Sequence, residues 1–278
     1  MKNAINNIWK IIKYPLLYIG MQVAMTFLYS MVLGGMVGVE MATSGEILAP
    51  EAITEKIQAI YDARIAIIMS SCATLFVIFL ILRKEWKQDK TFTFAKIEIL
   101  PLLLCILLGA SLNGFTISIL SMLPSLPQQP IDGMVGNNIV LEIISLGLIT
   151  AFLEEIIFRG IVLKRLLKIT KLPVAIILQA FIFALIHFNL LQSSYAFVLG
   201  IVLGIVCVYF GSVWFAFVLH AVYNITSILI QNLAGESDVN LLVFAAASGV
   251  ILAMSIISMV NLIKKKANDN ANNSDVLL

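Results

Sequence analysis

The sequence is dominated by long apolar runs that are separated by short polar segments. A helix needs about 20 apolar residues to cross the hydrocarbon core of a bilayer. Eight runs approach or exceed that length, at 15–37, 65–82, 98–121, 138–158, 174–189, 194–211, 213–232 and 240–262. The runs lack the alternation of apolar and polar residues that is typical of a membrane β-barrel. The pattern therefore predicts an all-α, polytopic transmembrane bundle of about eight spans.

The polar segments divide the chain into four parts. Residues 1–137 hold about three spans and a polar outer segment, 44–64, which predicts a short amphipathic helix. Residues 138–233 form a core of four spans, and 234–263 contain the last span. The end of the chain, 264–278, starts with three lysines and continues as an Asn-rich stretch, which predicts a disordered tail. The number of spans around 189–214 stays open, because only "FGSVW" at 210–214 separates the sixth run from the seventh.

The composition excludes a soluble catalytic domain. Hydrophobic residues make up 60% of the chain and charged residues 12%, and the mean hydropathy is +1.01. Any chemistry must therefore come from the membrane helices. The three cysteines lie inside apolar runs without metal-ligand spacing, and we interpret them as small core hydrophobes.

The distribution of basic residues predicts the orientation. With the N-terminus in the cytoplasm, all lysines and arginines except Lys56 and Arg64 lie in cytoplasmic segments. Both termini are therefore expected to be cytoplasmic. This pattern, without an organelle-targeting segment, predicts a multi-pass protein of a bacterial plasma membrane. The basic run "RKEWKQDK" at 83–90 is expected to contact lipid headgroups, and it requires no nucleic-acid partner.

Polar residues are concentrated in one part of the apolar runs. They are Glu154, Glu155, Arg159, His187, His220 and Asn224, and they include both histidines of the chain. Ionisable residues inside a membrane are costly, so they are expected to face the bundle interior and to serve a function. Glu155 and Arg159 are four residues apart and can pair on one helix face. Glu154 is rotated by about 100° from its neighbour and is expected to face a cavity.

A carboxylate and two imidazoles suit hydrolysis. Glu154 is the candidate general base that activates a water. His187 and His220 are candidates either for binding Zn²⁺ or for hydrogen-bonding a developing oxyanion. Asn224 can donate to the same oxyanion, or it can hydrogen-bond a neighbouring helix. His187 is expected nearer the outer end of its short run, so the groups meet only if that run is tilted or begins later.

Three motifs carry a family resemblance: "EEIIFR" at 154–159, "FALIH" at 183–187 and "HAVYN" at 220–224. They resemble the CPBP family of intramembrane (metallo)proteases, related to type II CAAX prenyl endopeptidases and to abortive-infection or bacteriocin-immunity membrane proteins. The resemblance implies a helical bundle with a cavity towards the cytosol. It also implies hydrolysis of a peptide bond in a membrane-associated peptide or protein.

The resemblance also assigns roles, residue by residue. It implies that Glu154 is the water-activating base and that Glu155 and Arg159 are a supporting pair. His187 and His220 take the place of metal ligands or oxyanion donors, and Asn224 lies on the oxyanion side. It leaves open whether Zn²⁺ takes part.

Three other functions remain open at this point. The chain can be a non-catalytic bacteriocin-immunity or scaffold protein that binds a membrane partner. It can be a membrane haem protein with His187 and His220 as axial ligands, although the glutamates then have no role. It can also be a proton-coupled transporter. The substrate and the oligomeric state are not determined by the residues.

Overall fold

The computed structural model describes residues 2–45, 47–89, 98–122, 138–233 and 241–275, and every regular element in these ranges is a helix. The segment between the third and fourth predicted spans, 122–137, and the predicted boundary at 233–234 fall mostly outside the described residues. So do most side chains of the basic run at 83–90.

The helices follow one another with short connections. In chain order they are α1 Lys2–Ser44, α2 Pro50–Ile60, α3 Ala63–Asp89, α4 Ile99–Ser121, a composite helix at 139–167, α8 Leu172–Leu185, α9 Leu190–Phe210, α10 Val213–Leu233 and α11 Leu241–Asp275. The composite helix, called the site helix below, contains α5 Ile139–Glu142, α6 Ala151–Glu155 and α7 Lys164–Leu167. Two π-helical segments, Ile143–Thr150 and Ile156–Leu163, separate these three α-helical segments.

Six helices of the described chain are long and apolar enough to cross a membrane. They are Ile8–Ser44, Ala63–Arg83, Ile99–Ser121, Leu190–Phe210, Val213–Asn232 and Leu242–Lys266. The other two predicted spans correspond to the site helix and to α8, whose 14 residues extend only about 21 Å. The prediction of an all-α, multi-pass membrane bundle is confirmed. Apolar side chains such as Val23 and Phe27 are exposed on α1 and face lipid.

The site helix lies at the centre of the bundle. It packs against α1 and α3 on one side and against α8, α9 and α10 on the other. Its residues Leu153, Ile157, Phe158 and Ile161 are fully buried. Polar groups on this helix are therefore surrounded by protein and not by lipid.

Two glycines of α9 allow α8 to approach closely, as the small residues in "GIVLG" at 200–204 predict. A Cβ atom on Gly200 would lie 3.0 Å from the backbone of Ala180. A Cβ atom on Gly204 would lie only 2.7 Å from the Gln179 amide nitrogen. This contact affects the site, because the Gln179 amide donates a hydrogen bond to the Gly200 carbonyl of α9.

The ends of α8 and α9 are set by local backbone geometry. Gly211 has φ +64° and ends α9 at Phe210, so the predicted break at 210–214 is confirmed. Helix α8 ends at Leu185, four residues before the predicted end of the fifth span. Phe188 has φ +51°, and the Asn189 side chain accepts a hydrogen bond from Gln192 N to begin α9. His187 therefore lies in a turn and not inside a helix, which corrects the sequence prediction.

The last helix differs from the sequence prediction at its end. Helix α11 continues to Asp275 through residues for which the composition predicts disorder. Extending an existing helix adds one hydrogen bond for each residue that is fixed, whereas starting a helix is costly. A polar tail that follows an apolar span can therefore stay helical. In the outer segment 44–64 the predicted short helix is present as α2.

Candidate active site

The two adjacent glutamates lie where the site helix changes its hydrogen-bond pattern. Glu154 and Glu155 close the short segment α6, which is flanked by the two π-helical segments. The Thr150 hydroxyl donates to the Ser145 carbonyl five residues earlier, at 2.9 Å. π-Helical turns are rare in proteins and are frequent at functional sites. Both glutamate side chains are buried.

One oxygen of Glu155 accepts hydrogen bonds from two other side chains of the site. Its Oε1 accepts a hydrogen bond from Arg159 Nη1 at 2.7 Å and one from His220 Nδ1 at 2.8 Å. The pairing of Glu155 with Arg159 four residues later follows the prediction from helical spacing. The bond from His220 brings α10 against the site helix.

Arg159 is fully buried and is held by two neighbouring helices. Its Nη2 donates to the Gly200 carbonyl of α9 at 3.2 Å. Its guanidinium lies 4.6 Å from the centre of the Phe183 ring of α8, at a distance suited to a cation–π interaction. Gln179 donates to the same Gly200 carbonyl at 2.7 Å. The close approach at Gly204 thus helps to build the surroundings of Arg159.

Glu154 has a different environment from Glu155. Its Oε1 accepts a hydrogen bond from the Tyr18 hydroxyl of α1 at 3.0 Å. Its Oε2 lies 3.7 Å from His220 Nε2, which is too long for a direct hydrogen bond. One imidazole therefore faces both carboxylates, each through a different ring nitrogen.

The bond to Glu155 fixes the orientation of the His220 ring. A carboxylate only accepts hydrogen bonds, so His220 Nδ1 carries the hydrogen of its bond to Glu155. The other ring nitrogen, Nε2, is the one that faces Glu154.

The Phe183 ring contacts both histidines of the chain. Its buried ring meets His187 edge-on at 5.2 Å and His220 edge-on at 5.7 Å between ring centres. Because α8 is short, the turn that carries His187 lies next to the site, although the sequence left its depth uncertain. His187 is half-buried, and its Nδ1 donates to the Phe183 carbonyl at 3.0 Å. Its Nε2 is then available as an acceptor.

Asn224 contacts the site helix through its amide. Its Nδ2 donates to the Leu146 carbonyl in the first π-helical segment, at 3.1 Å. This bond corresponds to the helix–helix role that the sequence left open for Asn224. A side-chain amide has two N–H donors, and one remains for another acceptor.

The two histidines share a feature of metal-ligating residues, but the number of ligands near them is too small for a zinc site. His187 and His220 each engage Nδ1 with an oxygen acceptor, which is usual for metal-ligating histidines. However, within the described ranges no three or more His, Cys, Asp or Glu side chains are grouped to hold a metal ion. A zinc site needs at least three protein ligands, so the residues as arranged do not fit one. The involvement of Zn²⁺ stays a prediction.

Sequence reasoning missed Tyr18. It lies 136 residues before Glu154, inside an apolar run, and no motif marks it. The available signal was its position four residues after Tyr14 and four before Gln22, which places three polar groups on one face of α1. That pattern indicates a face turned towards protein, but it does not identify the partner.

A comparison with protein families identifies the part of the chain that holds these residues. The family model described as type II CAAX prenyl endopeptidase Rce1-like matches residues 136–226, about a third of the chain. Residues 136–226 are therefore similar to this family, and they are called the Rce1-like segment below. The family resemblance of the three motifs is confirmed for this segment, which supports a protease. No curated protein and no solved structure matches the chain.

The Rce1-like segment does not contain the whole site. It covers the site helix, α8, α9 and the part of α10 that carries His220 and Asn224. Tyr18 lies outside it, on α1.

Proposed function

We propose that the protein is an intramembrane endopeptidase that hydrolyses a peptide bond in a membrane-associated peptide or protein, in a bacterial plasma membrane. The observation that carries this proposal is the position of His220 between two buried carboxylates within an Rce1-like segment. The arrangement supplies a base, a proton-carrying imidazole and a fixed orientation for both.

Glu154 is the group that accepts a proton from the attacking water. Its Oε2 lies beside His220 Nε2, while its Oε1 is held by Tyr18. The water oxygen bonds to the carbonyl carbon of the substrate, and its proton moves to Glu154. When the tetrahedral intermediate collapses, the C–N bond breaks and Glu154 returns the proton to the leaving amine.

His220 stabilises the negative charge that develops on the carbonyl oxygen. Its Nε2 faces Glu154 and, when it carries a proton, donates a hydrogen bond to the oxyanion. Glu155 fixes the ring through Nδ1, and Arg159 fixes Glu155. Asn224 contributes its second N–H to the same oxygen. His187 Nε2 accepts a hydrogen bond from the water before attack.

Zn²⁺ is not needed for these steps. That His187 and His220 hold Zn²⁺ stays a prediction, and a chelator tests it, because only a metal-dependent enzyme loses activity.

A non-catalytic immunity or scaffold role is the second candidate. It is favoured by the bond of Asn224 to a backbone carbonyl and by the complete burial of Glu155 and Arg159. In that case the motifs hold α10 and α9 against the site helix. Only the loss of cleavage on a change that leaves the fold intact distinguishes this role from catalysis.

The test compares wild type with Glu154→Gln, purified in detergent, on a quenched-fluorescence peptide library with and without chelator. We expect Glu154→Gln to lower cleavage about 10²- to 10⁴-fold, because the amide cannot accept the proton. Glu142→Gln is the matched control, since Glu142 is equally buried on the same helix and lies outside the site. Equal cleavage by wild type and Glu154→Gln contradicts the proposal, and no cleavage by any variant favours the non-catalytic role.

A further inference from the structure

We propose that Tyr18 is a positioning residue for Glu154, so that α1 completes an active site whose motifs all lie in the Rce1-like segment. This inference rests on the proposed function, because it needs Glu154 to be the base. It assigns a role in the reaction to a helix that the family match does not include.

The two oxygens of Glu154 have different neighbours. Tyr18 donates to Oε1 at 3.0 Å, and Oε2 faces His220. A glutamate side chain has three rotatable bonds, and Glu154 lacks a hydrogen bond from Arg159 of the kind that holds Glu155. A hydrogen bond from a buried hydroxyl to a carboxylate is a strong one. It fixes the carboxylate plane and so directs Oε2 towards the place where the water reacts.

Tyr18 is itself held in place by the packing of α1 against its neighbours. It is 7% exposed and lies on a face of α1 that contacts both α3 and the site helix. One turn further along this face, the Gln22 side chain accepts a hydrogen bond from the Ser70 hydroxyl of α3 at 2.8 Å. One turn earlier, Arg165 of α7 lies 4.8 Å from the ring centre of Tyr14 and donates to the Lys10 carbonyl. Helix α1 is therefore fixed on both sides of Tyr18.

Two tyrosines of α1 differ in the hydrogen bonding of their hydroxyl groups. Tyr14 is even more buried, at 1% exposure, but among the described residues its hydroxyl has no hydrogen-bond partner. Burial on this face of α1 does not by itself provide a partner for a tyrosine hydroxyl. The bond from Tyr18 to Glu154 is therefore a specific feature of this position, and Tyr14 provides a natural control.

The test measures peptide cleavage by Tyr18→Phe and Tyr14→Phe, each of which removes one buried hydroxyl from α1. We expect Tyr18→Phe to lower kcat about 10- to 100-fold, because the carboxylate of the base is no longer held in its reactive orientation. KM is expected to stay within about twofold, because Tyr18 contacts the base and not the substrate. Tyr14→Phe is expected to leave both constants unchanged.

The outcomes distinguish this inference from the proposed function. If Glu154→Gln abolishes cleavage while Tyr18→Phe matches wild type in kcat, only the role of Tyr18 is overturned. Equal losses in Tyr18→Phe and Tyr14→Phe also overturn it, because both then report packing of α1. If Glu154→Gln retains cleavage, the proposed function fails, and the inference fails with it.

Discussion

Two clusters of charged side chains that each include residues of the site helix contain the same charged groups, but those groups are paired differently. The Arg64 cluster consists of Asp62, Arg64, Glu142 and Asn232, and the site cluster consists of Glu154, Glu155, Arg159 and His220. Each contains two carboxylates and one arginine. In the Arg64 cluster the arginine contacts both carboxylates, at 2.8 and 3.4 Å. In the site cluster Arg159 hydrogen-bonds Glu155, and Glu154 is bonded by a tyrosine instead.

The difference lies in the groups that contact each carboxylate. Both carboxylates of the Arg64 cluster contact its arginine, and Asn232 donates to the second oxygen of Glu142 at 3.3 Å. That cluster connects α3, α10 and the start of the site helix. In the site cluster a tyrosine hydroxyl and an imidazole, and not an arginine, lie next to Glu154. Under the proposed function, Glu154 is the carboxylate that takes up the proton of the water, whereas the Arg64 cluster serves the structure.

The largest expected effect is on stability, and it compares the two arginines. Arg159→Met leaves Glu155 buried without its cation, and breaking a buried pair in this way costs about 3–5 kcal/mol. Arg64→Met should cost less, because Arg64 and Asp62 are 14% and 24% exposed and because Asn232 still donates to the buried Glu142. Thermal unfolding of both variants in the same detergent measures the difference. Equal losses would show that the two clusters do not differ in how they depend on their arginine.

A smaller effect is expected where α8 meets α9. Gly204→Ala places a Cβ atom 2.7 Å from the Gln179 amide nitrogen and forces it away from the Gly200 carbonyl that Arg159 shares. Overpacking of this kind costs about 1–3 kcal/mol. Gly35→Ala on α1 is the control, because no atom lies within 4 Å of the position that its Cβ atom would take. Unfolding temperatures should fall for Gly204→Ala only, and a fall for both would contradict this account.

The smallest expected effect is a pH dependence of stability, which comes from Asp62 in the Arg64 cluster. Hydrogen bonds from Arg64 lower the pKa of Asp62 from its ordinary value of about 3.9. Because this pKa is lower in the folded protein, the contribution to stability is complete above pH 4 or so. It is lost as the pH falls through the folded value. The contribution of such a partly exposed pair is about 1 kcal/mol or less.

Asp62→Asn tests this dependence. Stability should be slightly lower than in wild type near neutral pH, and the two proteins should converge as the solution is acidified towards pH 3. The measurement is the unfolding temperature in the same detergent at several pH values. A constant difference between the two proteins at all pH values would exclude Asp62 as the titrating group.

The sequence by itself determined the class of structure and the local features of the site. Long apolar runs must be helical in lipid, because a helix satisfies its own backbone hydrogen bonds. The pairing of Glu155 with Arg159 follows from helical spacing, and the break at Gly211 follows from a left-handed backbone that glycine adopts easily. All of these depend on residues within one turn or one run of the chain.

Only the tertiary structure decided how the helices meet. It placed His187 in a turn, because α8 ends at Leu185, and it gave Asn224 a backbone carbonyl as its partner. It also brought Tyr18 to Glu154 across 136 residues. Contacts of this kind depend on the rotation and relative depth of neighbouring helices. Those quantities are set by packing over the whole bundle, and spacing within a single helix does not fix them.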